Sequence, residues 1–262
     1  MNHNPVKRTL AAGGLSPGIM VILADTPAAV RRATAAGADW ALMDLDWTRR
    51  DSLTRRILDF ANKEALDLTT LVRVPDNEKR YIAGALAAGA TGVLVPSVHS
   101  ESDARAAVAS AQILPGSSSG PDSVFFQNPY GDDLEQLGRR NAGDEIIVAA
   151  SIDTVEATYN SDAIASVDAI DILWIDPGDW RDQNGVSISR DREHPEFLAA
   201  VERVMVACKT HGKSAGIMAA YPKRVDPLVS QGFRFIGYLN ERDKWGEGIS
   251  ALRDAANDLS SP

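Results

Sequence analysis

Eight short runs of apolar and β-branched residues constrain this 262-residue chain more than any other feature. They lie at 18–23, 40–46, 69–74, 92–98, 145–152, 169–175, 214–219 and 233–239. Each is bounded by turn residues and reads as a strand buried on both faces. Each is followed by a stretch of helical periodicity, at 26–36, 52–65, 78–88, 103–112, 155–166, 196–211, 222–231 and 241–259. Gly37, Gly89, Gly212 and Gly232 close four of these stretches, where a left-handed residue stops a helix before the next strand. Eight strand–helix units in about 250 residues match a closed (β/α)8 TIM barrel. An open doubly wound sheet is the runner-up, but no Gly-x-Gly-x-x-Gly follows the first strand.

The chain reads as a single domain over 1–262 with one irregular stretch at 114–144. That stretch is rich in Gly, Ser, Pro and Asp and carries Phe125, Phe126 and Tyr130. Such a segment serves as a lid, a binding loop or a contact surface; the plain alternative is a solvated insertion.

Composition narrows the function. Hydrophobic residues make up 44% of the chain, enough for a full core. Lys and Arg total 27 against 36 Asp and Glu, a formal net charge of −9. An acidic chain has no general attraction for nucleic acid or for an anionic membrane, so any bound anion needs a local site. No apolar run approaches the ~20 residues that span a bilayer, and the N-terminus, through Lys7 and Arg8, lacks the apolar core of a signal peptide. A cytoplasmic protein is expected. Cys208 is the only cysteine. It excludes an intrachain disulfide and reads as a core residue.

In a barrel of this kind the chemistry sits at the carboxyl ends of the strands and in the loops after them. Those positions hold Asp44, Asp46 and Trp47 after strand two, Arg73 on strand three, Ser97 and His99 after strand four, Asp153 after strand five, Asp176 and Asp179 after strand six, and Asn240 and Glu241 after strand eight. Asp153 and Asp179 come from adjacent strands, and two such carboxylates with room for water suit Mg²⁺ or Mn²⁺. Taken singly, Asp153 reads as a helix N-cap and Asp179 as a turn residue of Asp-Pro-Gly-Asp; their shared position favours metal. Few histidines and one buried-looking cysteine argue against zinc. Arg73 can hold a carboxylate or steady a developing enolate oxygen. Its structural alternative is an ion pair with Asp44 or Asp46. His99 is a candidate base, with a solvated residue near the start of the fourth helix as the simpler reading.

Several segments together resemble the HpcH/HpaI class II aldolases, metal-dependent enzymes of 2-oxo acids. Ala38-Asp39-Trp40-Ala41-Leu42-Met43-Asp44-Leu45-Asp46 is similar to their second-strand motif, and Leu71-Val72-Arg73-Val74-Pro75 to their arginine strand. Gly92-Val93-Leu94-Val95-Pro96 resembles their fourth strand. Ser151-Ile152-Asp153-Thr154 sits where the family has Gln-Ile-Glu-Thr, and Trp174-Ile175-Asp176-Pro177-Gly178-Asp179 resembles Ile-Gly-Pro-x-Asp. His194-Pro195-Glu196 and residues 212–217 continue the likeness, in order, over nearly the whole chain.

The resemblance implies Asp153 and Asp179 as metal ligands. It implies Arg73 on the 2-oxo group and the backbone N–H groups of Gly178 and Asp179 on the substrate carboxylate. Arg73, Asp44, Asp46 and His99 are then the candidate catalytic residues, and Trp47 lines the substrate pocket by stacking or plugs it. It also implies a homo-oligomer, a hexamer or trimer, acting on a small 2-oxo acid.

Four positions depart from the family. Trp47 stands where the family has its catalytic histidine, Ala87 where it has that histidine's aspartate partner, and Ser119-Gly120 near its Arg-Gly segment. Asp153 is one carbon shorter than the family's glutamate. Losing an acid/base pair costs about 10²–10⁴-fold in rate. The expected function is a divalent-metal-dependent carbon–carbon lyase working through an enolate with altered acid/base chemistry. The alternative is a diverged or inactive relative that binds a small carboxylate or serves as a structural subunit. An unrelated barrel enzyme is a weaker third reading, because no Gly-rich phosphate loop appears near strands seven and eight.

Overall fold

The structure, a computed structural model, describes residues 4–21, 31, 33–44, 68–112, 145–186, 194–238 and 245–260. Eight parallel strands close into a barrel in sequence order, β1 pairing with both β2 and β8. They are β1 (Ser16–Val21), β2 (Trp40–Asp44), β3 (Thr69–Arg73), β4 (Gly92–Val95), β5 (Ile147–Ser151), β6 (Ile172–Trp174), β7 (Ser214–Ala219) and β8 (Phe235–Tyr238). The helices with full bounds are α1 (Pro5–Ala11), α2 (Lys79–Ala87), α3 (Glu101–Ala111), α4 (Val155–Tyr159), α5 (Ser161–Ala165), α6 (Pro177–Asn184), α7 (Pro195–His211), α8 (Val225–Gln231) and α9 (Trp245–Ser260). A 3₁₀ turn at Pro222–Arg224 precedes α8.

All eight expected strands are present, and the closed barrel rather than the open sheet is the fold. The four glycines expected to stop helices all have positive φ. Some elements differ from expectation. Strand four ends at Val95 because Pro96 has no N–H to continue the ladder and Ser97 turns the chain at φ 56°. The single helix expected over 155–166 breaks at Asn160, whose side chain donates to the His99 carbonyl at 2.7 Å. Two helices were not anticipated, α1 and α6. Each carries a legible start signal, an Asx cap followed by proline at the first helical position. The 52–65 helix and the irregular 114–144 stretch lie outside the described residues.

Side chains alternate along each strand, one set facing the barrel interior and the other the helical shell. The interior set includes Leu42, Leu71, Leu94, Ala149, Ile172, Trp174, Met218 and Phe235. Its centre is aromatic. Trp40 stacks on Phe235 with ring centroids 4.0 Å apart, and Trp174 stands edge-on to both. Rings of this size need small residues opposite. A Cβ at Gly18 would fall 2.0 Å from Trp40, and one at Gly216 would fall 2.7 Å from Trp174.

Helix α1 closes the amino end. Its cap Asn4 accepts from Val6 N–H at 3.0 Å and donates to the Glu145 carbonyl at 3.1 Å. Val6 joins the interior cluster. Cys208 is buried on α7, its thiol pushed up to about 12 by burial, as a core residue requires. Among the described residues no helix is long and apolar enough to cross a membrane.

The same alternation fixes the mouth. Asp44 follows Leu42 by two residues, Arg73 follows Leu71 by two, and Ser151 follows Ala149 by two. Asp44 and Arg73 are direct register partners. Three polar residues therefore end interior-facing rows at the carboxyl end.

Candidate active site

Arg73 organises this end. Its Nε donates to Asp44 Oδ1 at 3.0 Å and its Nη2 to Asp44 Oδ2 at 2.5 Å, a two-pronged pair. Its Nη1 reaches Asp179 Oδ2 at 2.5 Å. The Asp44 side chain is 0% exposed and that of Arg73 7%, whereas Asp179 is 32% exposed. The fork geometry of a guanidinium suits this bridging. The ion pair with Asp44 expected as the structural alternative is therefore present, and so is a contact with the candidate metal ligand Asp179. Asp44 anchors the cation at the back of the site while Arg73 addresses the groups at the front.

Asp153 and Asp179 lie close enough to perturb each other. Burial, then the charge of Asp179, pushes the Asp153 carboxyl up to about 7. Asp179 is raised as well, by burial first and the charge of Asp176 next, with Arg73 opposing. Asp153 is not an N-cap: Thr154 takes that role for α4 by accepting from Ala157 N–H at 3.1 Å. Nor is Asp179 a turn residue, since it occupies the first turn of α6. Both structural alternatives drop away. Asn184 ties the two segments together, donating to the Asp153 carbonyl at 2.9 Å while accepting from Val155 N–H at 2.9 Å.

Three residues that sequence reasoning left without a role contribute. Ser151 Oγ donates to Asp153 Oδ1 at 2.8 Å. The parity of β5 was the signal available for it. Asp176, in place of the glycine of the family's Ile-Gly-Pro-x-Asp, caps α6 by accepting from Gly178 N–H at 2.7 Å. That N–H was expected to meet a substrate carboxylate, and the chain's own carboxylate already sits on it. The Asp179 N–H makes no hydrogen bond among the described residues. Trp174, two residues before Asp176, is fully buried with its indole N–H unpaired.

His99 is tied to Thr154, the residue that follows Asp153. Its Nδ1 meets Thr154 Oγ1 at 3.1 Å and its backbone N–H donates to Asp103 at 3.0 Å. Ser100 and Asp103 cap α3 beside it. The structure thus brings together Asp44, Arg73, Asp153, Gly178 and Asp179 and places His99 in the capping network of its neighbours. Asp46 and Trp47 lie outside the described residues, as do Asn240 and Glu241.

This geometry can be compared with known proteins. The family model for HpcH/HpaI aldolase/citrate lyase matches residues 19–238, which span all but the start of β1 through the end of β8. The chain belongs to that family. It is a lyase-type enzyme of carbon–carbon bonds. A pyruvate aldolase of Rhizobium etli is 32% identical over 233 residues, covering 88% of this chain and 89% of that protein. An HpcH/HpaI aldolase/citrate lyase family protein of Burkholderia cenocepacia superposes with a TM-score of 0.75 at 23% identity, over 98% of this chain and all of that one. The citrate lyase β subunit of Mycobacterium tuberculosis, solved with oxaloacetate and magnesium, superposes with a TM-score of 0.62 at 15% identity. It covers 95% of this chain and 99% of its own.

The residues fit a divalent cation. Two mutually repelling, desolvated carboxylates keep one oxygen each without a hydrogen bond among the described residues: Asp153 Oδ2 and Asp179 Oδ1. A hard cation relieves both the repulsion and the desolvation. Among the described residues no group of three or more His, Cys, Asp or Glu is arranged to hold a metal.

Proposed function

We propose that this enzyme is a divalent-metal-dependent carbon–carbon lyase that acts on a small 2-oxo acid through an enolate, with acid/base chemistry altered from that of its relatives. The observation that carries the reading is the Arg73 guanidinium held between buried Asp44 and Asp179, with Asp153 alongside. Asp153 and Asp179 would hold Mg²⁺ or Mn²⁺, which supplies positive charge to the keto and carboxylate oxygens and so lowers the cost of the enolate.

The chain's own residues do the rest. Arg73 donates to the 2-oxo oxygen and strengthens that bond as negative charge grows there. Asp44 fixes the guanidinium plane, so this stabilisation needs no reorganisation during the reaction. The Asp179 N–H, at the start of α6, receives the substrate carboxylate; Gly178 N–H joins it when the Asp176 carboxylate moves aside. His99 meets Thr154 through Nδ1, so Nε2 is the nitrogen that would act as a base.

Because Trp47 replaces the family's histidine, reactions that generate the enolate without removing a C–H proton are favoured. Decarboxylation is one and substrate-assisted cleavage another. Oxaloacetate and pyruvate separate the two requirements. With Mn²⁺ present, oxaloacetate is expected to lose CO₂ at an enzymatic rate. Exchange of pyruvate methyl protons with D₂O, which needs a base, should be about 10²-fold or more slower. Equal rates would mean that a competent base exists. Neither reaction would favour the second reading, a relative that binds a small carboxylate without turning it over, which the replacement of the family's histidine by Trp47 supports.

Assembly as a homo-oligomer, a hexamer or trimer, belongs to this proposal. The exposed Val155 and Tyr159 on α4, with Leu198 and Val206 on α7, offer apolar surface for it.

A further inference from the structure

The proposed ligand pair has an asymmetry inside each carboxylate, and the inference drawn from it rests on reading Asp153 and Asp179 as the cation's protein ligands. Ser151 ends β5, is 1% exposed, and donates from Oγ to Asp153 Oδ1 at 2.8 Å. Arg73 Nη1 occupies Asp179 Oδ2 at 2.5 Å. Each acid therefore has one oxygen engaged by a protein donor and one oxygen open. The engagement of Asp153 is short-range and stiff. Serine and aspartate have few rotatable bonds, the two residues are separated by a single position, and β5 is anchored on both sides, by β4 and β6. An aspartate turned to present both oxygens to one ion has to share Oδ1 between the ion and the Ser151 hydroxyl, or give that bond up.

We infer that Ser151 is a positioning residue that holds Asp153 as a one-oxygen donor, and that this restraint makes the centre select Mg²⁺ or Mn²⁺ over Ca²⁺. The chemistry of the ions supports the assignment. Ca²⁺ gathers roughly six to eight oxygens and favours carboxylates that give both, whereas Mg²⁺ takes one or two carboxylates and keeps its waters. Two carboxylates biased toward one oxygen each suit the second ion better than the first. Ser151 acts through Asp153 and need touch neither the cation nor the substrate. It stands where the family's motif has glutamine, beside an aspartate that stands for glutamate. A short donor thus accompanies a short ligand.

The test uses the metal-stripped full-length chain titrated calorimetrically with Mn²⁺ and, separately, with Ca²⁺. The wild type, Ser151→Ala and Ser151→Thr are compared. The wild type should bind Mn²⁺ about tenfold or more tighter than Ca²⁺. Ser151→Ala should shrink that ratio by about fivefold, the order of magnitude of one ordinary net hydrogen bond. Ser151→Thr, which keeps the hydroxyl, should restore it. A purely structural role would lower the melting temperature of Ser151→Ala and leave the ratio alone. A ratio unchanged within twofold in Ser151→Ala, with Mn²⁺ still bound, overturns the role of Ser151 and leaves the ligand pair standing. A wild-type chain that binds no Mn²⁺ overturns both.

Discussion

At the amino end of the barrel, acidic side chains meet cations. Asp171 pairs with Lys7 at 3.0 Å and accepts from Val148 N–H at 2.9 Å. Asp39 pairs with Arg253 and accepts from Ser16 Oγ at 3.0 Å. At the carboxyl end, Asp44, Asp153, Asp176 and Asp179 cluster around Arg73, the guanidinium placed among them by the described residues. The first arrangement cancels charge and ties α1 and α9 to the strands. The second leaves carboxylates desolvated and unbalanced, which costs stability unless a ligand supplies the missing charge. Where a fold cancels its charges it is securing itself; where it leaves them it is holding binding energy for something else.

The largest effect should come from removing Arg73, the cation bonded to Asp44 and Asp179. Arg73→Ala removes the two-pronged partner of the buried Asp44 carboxylate, a change worth about 3–5 kcal/mol. Thermal unfolding should show that loss, and turnover of oxaloacetate should fall to background. A variant with normal turnover would remove Arg73 from the chemistry. A smaller loss is expected at the other end. Asn4→Ala deletes the α1 cap and its bonds to Glu145 and Thr69, for about 1–2 kcal/mol. Metal binding should not change, because this end is structural. A change in Mn²⁺ affinity there would break the contrast between the two ends.

A pH dependence sharpens the comparison further. A carboxyl raised in the fold binds its proton more tightly there than in the unfolded chain. The stability it contributes is present below the unfolded value near 3.8 and is lost as pH rises through about 7 for Asp153. The metal-free protein should therefore lose melting temperature between about pH 5 and pH 8, and Asp153→Asn should flatten that decline. Saturating Mn²⁺ should flatten it as well. An identical slope in Asp153→Asn would mean that Asp153 is not the strained group.

The fold was largely legible because buried parallel strands announce themselves as apolar runs, and glycine stops such as Gly212 and Gly232 mark where each helix must end. What escaped was local. The α1 plug hides in a stretch with little apolar periodicity, and only Asn4-Pro5 betrays it. The Asp176-Pro177 start of α6 has the same form and reads equally well as a turn. At the site, the placement of Arg73 beside Asp44 follows from strand parity and register. The contact from Arg73 to Asp179 spans 106 residues and depends on how far β6 is offset around the barrel, which no local pattern records. The Ser151–Asp153 bond was available from alternation alone, but a serine in an apolar strand carries no signal of its own.

The proposed cation site at the unbalanced carboxyl end, serving an enolate, is tested most directly by calorimetric titration of the metal-stripped chain with Mn²⁺, with and without oxalate as a mimic of the pyruvate enolate, and with Asp179→Ala as the comparison. Mn²⁺ binding should tighten when oxalate is present and disappear in Asp179→Ala. Absence of Mn²⁺ binding under both conditions, or equal binding by the wild type and Asp179→Ala, would contradict the proposed site.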